Sequence, residues 1–238
     1  MATDKCEESL LLATLNDDCI FTILERLPLD AIYSYSRTCK RIQRLCRDDF
    51  QRRFRNEINK TVQIEHSSRG TIHYKEKYVI YFNNLVKKLR IHGGVHIKPE
   101  RVACFVKTKC DPSLNEITID NDGIVLDSFC KEISSFLQSV ETVNLFQRVM
   151  RKVQTFLKYC PNLTTLSLCL LKDETIDEIF GQKYPKLTHL HFEYLSSSLI
   201  NPKNWKTFLQ RNSQIQCIEL SERSTDSQSA DDRKDEVC

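Results

Sequence analysis

The histidines and cysteines are the side chains of this protein best suited to chemistry, and their spacing limits what they can do. His189-x-His191 followed by Glu193 puts three possible metal ligands on one strand face, since side chains two apart on a strand point the same way. His92 and His96 form a looser pair. A metal site needs a third or fourth donor with defined geometry, and no neighbouring segment offers another histidine. These positions therefore read as polar surface, with no metal and no cofactor expected. Eleven cysteines are present, an odd count, and the closest pairs are Cys39 with Cys46 and Cys104 with Cys110. Neither has C-x-x-C spacing, so the thiols read as reduced. Cys39, Cys130, Cys160 and Cys169 sit among core-forming residues, where free cysteine acts as a small hydrophobe. Gly93-Gly94 lacks the lysine and flanking glycines of a phosphate loop and reads as a turn. No Ser–His–Asp set or paired-carboxylate motif emerges, so no catalytic residues are assigned and the chain is not expected to be an enzyme.

The elements that hold these residues follow from a repeated pattern, apolar-x-x-apolar-x-apolar. It runs Val86-Leu89-Ile91, Leu114-Ile117-Ile119, Val140-Val143-Leu145, Leu163-Leu166-Leu168, Leu187-Leu190-Phe192 and Ile215-Ile218-Leu220. Successive copies start 28, 26, 23, 24 and 28 residues apart. A period of this size signals one supersecondary unit stacked on itself, which predicts an α/β solenoid with parallel strands inside the curve and helices outside. The gaps read as helices. Pro99–Lys109 opens on proline, residues 124–137 carry Ile133, Phe136 and Leu137, and Val149, Val153, Phe156 and Leu157 mark the next. Asp173 caps residues 174–180 ahead of Gly181, and Asn201-Pro202 opens a last helix with Trp205, Phe208 and Leu209 as its buried stripe.

Between the apolar strand positions lie outward-facing ones, and stacked repeats commonly bind partners on that inner face. The candidates are Arg90, His92, Glu116, Thr118, Asp120, Asn144, Phe146, Ser167, His189, His191, Glu193 and Glu219. Phe146 is the large aromatic among them and the best anchor.

The chain of 238 residues has 40% apolar and 28% charged residues, no run long enough to span a membrane, and no signal-peptide core near Met1. A cytoplasmic or nuclear protein is expected, with no membrane partner. The net charge of +3 is uneven: Arg37, Lys40, Arg41, Arg44, Arg47, Arg52, Arg53 and Arg55 crowd residues 37–55, and the tail from Glu222 leans acidic. Nucleic-acid binding would want aromatics interleaved for stacking, whereas Phe50 and Phe54 fall at inward helical positions.

Residues 15–54 read as three short helices. Asn16 caps the first, whose apolar face is Cys19, Ile20, Ile23, Leu24 and Leu27, and Pro28 stops it. The second runs from Leu29 to about Thr38 and the third from Lys40 to about Asp48. So small a core needs a neighbour or a partner to lean on. Further on, Thr61-Val-x-Ile64 reads as a capping strand, and Tyr74, Tyr78 and Tyr81 as one helix face.

Two family resemblances follow. Residues 82–221 resemble degenerate leucine-rich repeats of the helix-containing type; the position where that family commonly has Asn or Cys holds Gly94, Asp122, Arg148, Leu171, Leu195 and Arg223. Leu15-Asn-Asp-Asp-Cys-Ile-Phe-x-Ile-Leu-x-x-Leu27-Pro28-Leu29, then Cys39-Lys40-Arg41-x-x-x-Leu45, resembles an F-box, departing at Asn16, at Thr38, and at Ile42, where the family has tryptophan. Together they look like the F-box/leucine-rich-repeat proteins of insects. The organisation implied is a flexible N-terminus (1–10), an F-box-like module (11–56), a linker or capping segment (57–81), a repeat domain of about six units (82–221) and a disordered acidic tail (222–238). The resemblance implies a non-catalytic substrate receptor of an SCF-type cullin–RING ubiquitin ligase. It would dock a Skp-family adaptor, and through it a cullin, by Leu15, Ile20, Ile23, Leu27, Pro28, Leu29, Cys39 and Lys40, and hold an unknown protein substrate on the repeats. The other readings are a repeat scaffold with no ligase link and a nucleic-acid-binding protein using residues 37–55.

Overall fold

The computed structural model describes residues 14–66, 72–74, 76–92, 98–120, 127–146, 153–169, 173–194 and 201–222. Residues 1–13, 93–97, 121–126, 147–152, 170–172, 195–200 and 223–238, and with them His96, Gly93-Gly94, Val149 and nearly all of the acidic tail, lie outside the described residues. The described residues fall into two compact units with interleaved connectivity. One draws on Met1–Lys60 and Glu76–Asn83, the other on Thr61–Lys75 and Asn84–Cys238.

The first unit is helical. Asn16 is extended and its side-chain oxygen accepts the N–H of Cys19 at 2.8 Å, satisfying one open donor of α1 (Asp17–Leu24), whose first turn carries Asp17 and Asp18. Pro28, also extended, leads into α2 (Leu29–Ser36), which ends two residues short of Thr38. Helix α3 (Lys40–Arg53) runs past Asp48, because its buried residues Ile42, Leu45, Cys46, Asp49 and Phe50 keep the i, i+3, i+4, i+7, i+8 period to the end. A short α4 (Arg55–Ile58) follows. Helix α5 (Lys77–Tyr81) then belongs to this same unit. Phe82 stacks on Phe50 with ring centroids 4.4 Å apart, Phe54 stacks on Phe50 at 4.9 Å, and Tyr33 meets Tyr81 at 4.8 Å. The predicted tyrosine face is therefore divided: Tyr78 and Tyr81 lie on α5, while Tyr74 ends a strand of the other unit. Cys39, expected in the core, is exposed just ahead of α3.

The second unit is built on an eight-stranded sheet in the order β2-β1-β3-β4-β5-β6-β7-β8. Strands β1 (Val62–His66) and β2 (Ile72–Tyr74) pair antiparallel at one edge. From β1 onward every pairing is parallel, through β3 (Lys88–His92), β4 (Glu116–Asp120), β5 (Thr142–Phe146), β6 (Thr165–Cys169), β7 (His189–Tyr194) and β8 (Cys217–Glu222). The register aligns the repeated pattern with itself. Val62, Leu89, Ile117, Val143, Leu166, Leu190 and Ile218 form one apolar row, and Ile64, Ile91, Ile119, Leu145, Leu168, Phe192 and Leu220 the next.

The turn before each of β4 to β8 is also copied. Leu114, Val140, Leu163, Leu187 and Ile215 each donate an amide to the carbonyl three residues back, at 2.9–3.2 Å. The next two amides then share one carbonyl of the preceding strand's lead-in. Glu141 and Thr142 donate to Asn115, Thr164 and Thr165 to Glu141, Thr188 and His189 to Thr164, and Gln216 and Cys217 to Thr188. The even spacing of the sequence is thus the spacing of one backbone hydrogen-bond pattern.

Helices fill the intervals: α6 (Pro99–Lys109), α7 (Asp127–Glu132) with α8 (Ser134–Leu137), α9 (Val153–Lys158), α10 (Asp173–Phe180) and α11 (Pro202–Arg211). The described part of α10 begins at Asp173. Their buried residues, among them Val102, Val106, Phe129, Leu137, Phe156, Ile176, Ile179 and Phe208, complete the core. Of the last helix's expected stripe only Phe208 is fully buried, with Trp205 and Leu209 half-buried. Asn212, 1% exposed, ties the turn after α11 to the preceding one. Its oxygen accepts the Tyr184 amide at 2.6 Å, and its nitrogen donates to Gln182 at 3.2 Å and Phe208 at 2.9 Å.

Candidate functional site

On the helical unit the predicted docking residues divide by burial. Ile20 is 0% exposed and belongs to the core, so it shapes the surface without lying on it. Leu15, Leu27 and Leu29 are half-buried, Pro28, Cys39 and Lys40 are exposed, and Ile23 is 38% exposed, large for an isoleucine on a helix. Ile42, at the position where the resemblance has tryptophan, is 2% exposed and packs inward.

The segments carrying these residues are held by side chains that a charge count treats as solvated. Arg41 donates to the Leu15 carbonyl at 2.6 Å and to Asp17 at 2.6 Å. Arg53 donates to the Leu24 carbonyl at 2.7 Å and the Leu27 carbonyl at 3.4 Å, satisfying groups at the open end of α1. Asp49, 0% exposed, accepts from Arg52 at 3.1 Å and from Arg53 at 3.3 Å, and Arg52 reaches Glu25 at 2.7 Å. Much of the basic stretch 37–55 is thus engaged inside the unit, and Phe50, which a nucleic acid would need for stacking, is buried. Asp49 and Arg53 escaped the sequence reading, and the only available signal was a charged residue falling on an apolar helix stripe.

On the second unit the polar positions of the strands form rows as regular as the apolar ones. Gln63, Arg90, Thr118, Asn144, Ser167, His191 and Glu219 are successive cross-strand partners. Toward β3 the row is a charged network. Lys88 pairs with Glu116 at 3.1 Å, Arg90 and His92 reach Asp120 at 3.4 and 2.8 Å, and Arg90 lies 5.5 Å from the centre of the Phe146 ring. Asn144 donates to Glu116 at 3.2 Å and to Thr118 at 3.1 Å, and Thr118 is buried, at 5% exposure. Phe146 is half-buried beneath that arginine and so is less free than an exposed anchor.

Toward β8 the character changes. His191 Nδ1 lies 3.2 Å from Glu219, while His189 turns to Thr188 at 2.9 Å. Cys169, Cα partner of Glu193 across β6 and β7, is 4% exposed; burial and the Glu193 carboxylate, which its thiol hydrogen-bonds, push it up to about 12. Among the described residues, Cys169, His191 and Glu193 are the group whose ligand atoms gather, all within 4.8 Å of one another. The third donor that the histidine spacing lacked comes from a cysteine one strand away, visible only once the register is known. No helix among the described residues is long and apolar enough to cross a membrane.

Compared with known families, residues 12–53 match the F-box domain, which the chain therefore carries at the site of its helical unit. No curated protein matches the chain.

Proposed function

We propose that this protein is a non-catalytic substrate receptor of an SCF-type cullin–RING ubiquitin ligase. An F-box domain suggests this role by itself, since such domains typically bind Skp-family adaptors, and the match at residues 12–53 is the observation that carries the reading. The adaptor would dock on Ile23, Leu27, Pro28, Leu29, Cys39 and Lys40, with Leu15 at the margin and Ile20 supporting from below. Exposed Ile23 stands on a helix whose end Arg53 holds through the Leu24 and Leu27 carbonyls, a pre-organised apolar surface of the sort that loses little entropy on binding.

The parallel-strand units would form a leucine-rich-repeat solenoid, which the copied turn hydrogen bonds and aligned rows support. Its polar face, from Arg90, His92, Glu116, Thr118 and Asp120 through Asn144, Phe146 and Ser167 to His189, His191, Glu193 and Glu219, would hold a protein substrate. The ligase chemistry would reside in other subunits. The engaged arginines of α3 weigh against the nucleic-acid reading.

Co-purification with a Skp-family adaptor tests the proposal. The native chain is expected to recover adaptor, and the Leu27→Asp, Leu29→Asp pair to lose it. Ile23→Lys, at an exposed position where folding is safe, is expected to weaken recovery at least tenfold with unchanged circular dichroism. A native chain that recovers no adaptor would leave a repeat scaffold without a ligase link.

A further inference from the structure

We infer that Cys169, His191 and Glu193 form a binding site for a borderline-soft divalent transition-metal ion, with zinc the ion their chemistry suits best. The inference rests on the second unit alone, so its outcome is independent of the ligase reading.

The donors converge because the sheet makes them converge. Cys169 and Glu193 are register partners on neighbouring parallel strands, which run about 4.8 Å apart, so their side chains stand abreast. His191 precedes Glu193 by two residues and shares its face. Each donor therefore stands on a paired strand, where position is set more tightly than on a loop. The observed 4.8 Å limit exceeds the donor separation of about 3.5 Å that tetrahedral zinc bonds of about 2.0–2.3 Å require, and side-chain torsion of about 1 Å closes the difference.

The donor set also selects the ion. One sulfur, one imidazole nitrogen and one carboxylate oxygen favour zinc over magnesium or calcium, which take oxygen alone. Three protein donors leave one tetrahedral position for water. Glu219, on the strand beyond His191, lies 3.2 Å from Nδ1 and leaves Nε2 to bind, in the way outer carboxylates fix the tautomer of metal-bound histidines. Metal binding releases the Cys169 thiol proton to solvent and forms the thiolate–metal bond, with no change of oxidation state.

The test is a cobalt(II) titration of the metal-stripped full chain, followed by displacement with zinc. The expected result is one tight equivalent showing thiolate-to-cobalt charge-transfer absorption and the visible bands of a tetrahedral site. Cys169→Ser should abolish the charge-transfer absorption, while Cys104→Ser, at an exposed cysteine elsewhere, should leave it intact. Glu219→Gln should weaken affinity about 10–100-fold with the tetrahedral spectrum retained, a readout that a merely structural role would not move. Should Cys169→Ser fail to fold, His191→Ala, at a position one-third exposed, decides. At least a tenfold loss of affinity with unchanged circular dichroism supports the site. A native chain without the charge-transfer absorption, absorption that survives Cys169→Ser, or affinity unchanged in His191→Ala overturns it.

Discussion

Asp49 and Asn212 do at single positions what the rest of each unit does by apolar packing. A buried polar group is tolerated when all its bonds are made, and becomes costly when one partner is removed. Asn212 makes three bonds to backbone groups of two successive turns, so its side chain substitutes for hydrogen bonds that the irregular chain there cannot make with itself. Asn212→Ala leaves the buried Tyr184 amide without its acceptor and removes a donor from the Gln182 carbonyl, while the Phe208 carbonyl keeps the backbone amide of residue 212 at 3.0 Å. A loss of about 2–3 kcal/mol is expected, read as a lower urea midpoint at unchanged slope. Asp49 works differently, because its arginine partners are partly exposed and can turn to water. Its role is to aim Arg53 at the carbonyls of Leu24 and Leu27.

At the scale of elements, the sheet is a set of equivalent rungs, with energies set by whether a rung has neighbours on both sides. Leu168, in the middle, is 0% exposed, whereas Leu220, in the same row on the last strand, is 52% exposed. Leu168→Ala should cost about 2–5 kcal/mol and Leu220→Ala less than about 1 kcal/mol, although the two residues occupy equivalent positions of the repeat. Parallel thermal melts of the two variants measure the difference. Strand positions were legible in the sequence because alternation within a strand and the 23–28-residue spacing are both one-dimensional signals. The helices were legible for the same reason, with an end adrift by two residues where caps and not stripes decide, as at Ser36. What stayed hidden was lateral. Cys169 meets Glu193 only through a register between segments 24 residues apart, and Arg41 reads as solvated charge until the chain brings Leu15 to it. The F-box segment was legible as a motif, but which side of α1 holds Ile20 and which holds Ile23 depended on what packs against that helix.

At the scale of the whole molecule, the F-box match ends at residue 53, and the helical unit does not. Phe50 keeps its burial with Phe82, which stacks on it and which follows β1 and β2 in the sequence. A fragment ending at residue 60 lacks Tyr78, Val79 and Phe82, all buried in the full chain, and exposes Phe50. Loss of that aromatic contact area should cost about 3 kcal/mol or more, in a module whose whole stability is of similar size. The fragment 11–60 should therefore show weaker helical circular dichroism and a broader melt than the fragment 11–83; equal melts would refute this. The polypeptide passes from one unit to the other three times, at residues 60–61, 75–76 and 83–84. Neither half can then be copied into another gene as a single uninterrupted cassette. A recombination that traded either unit for another would have to preserve all three crossings at once.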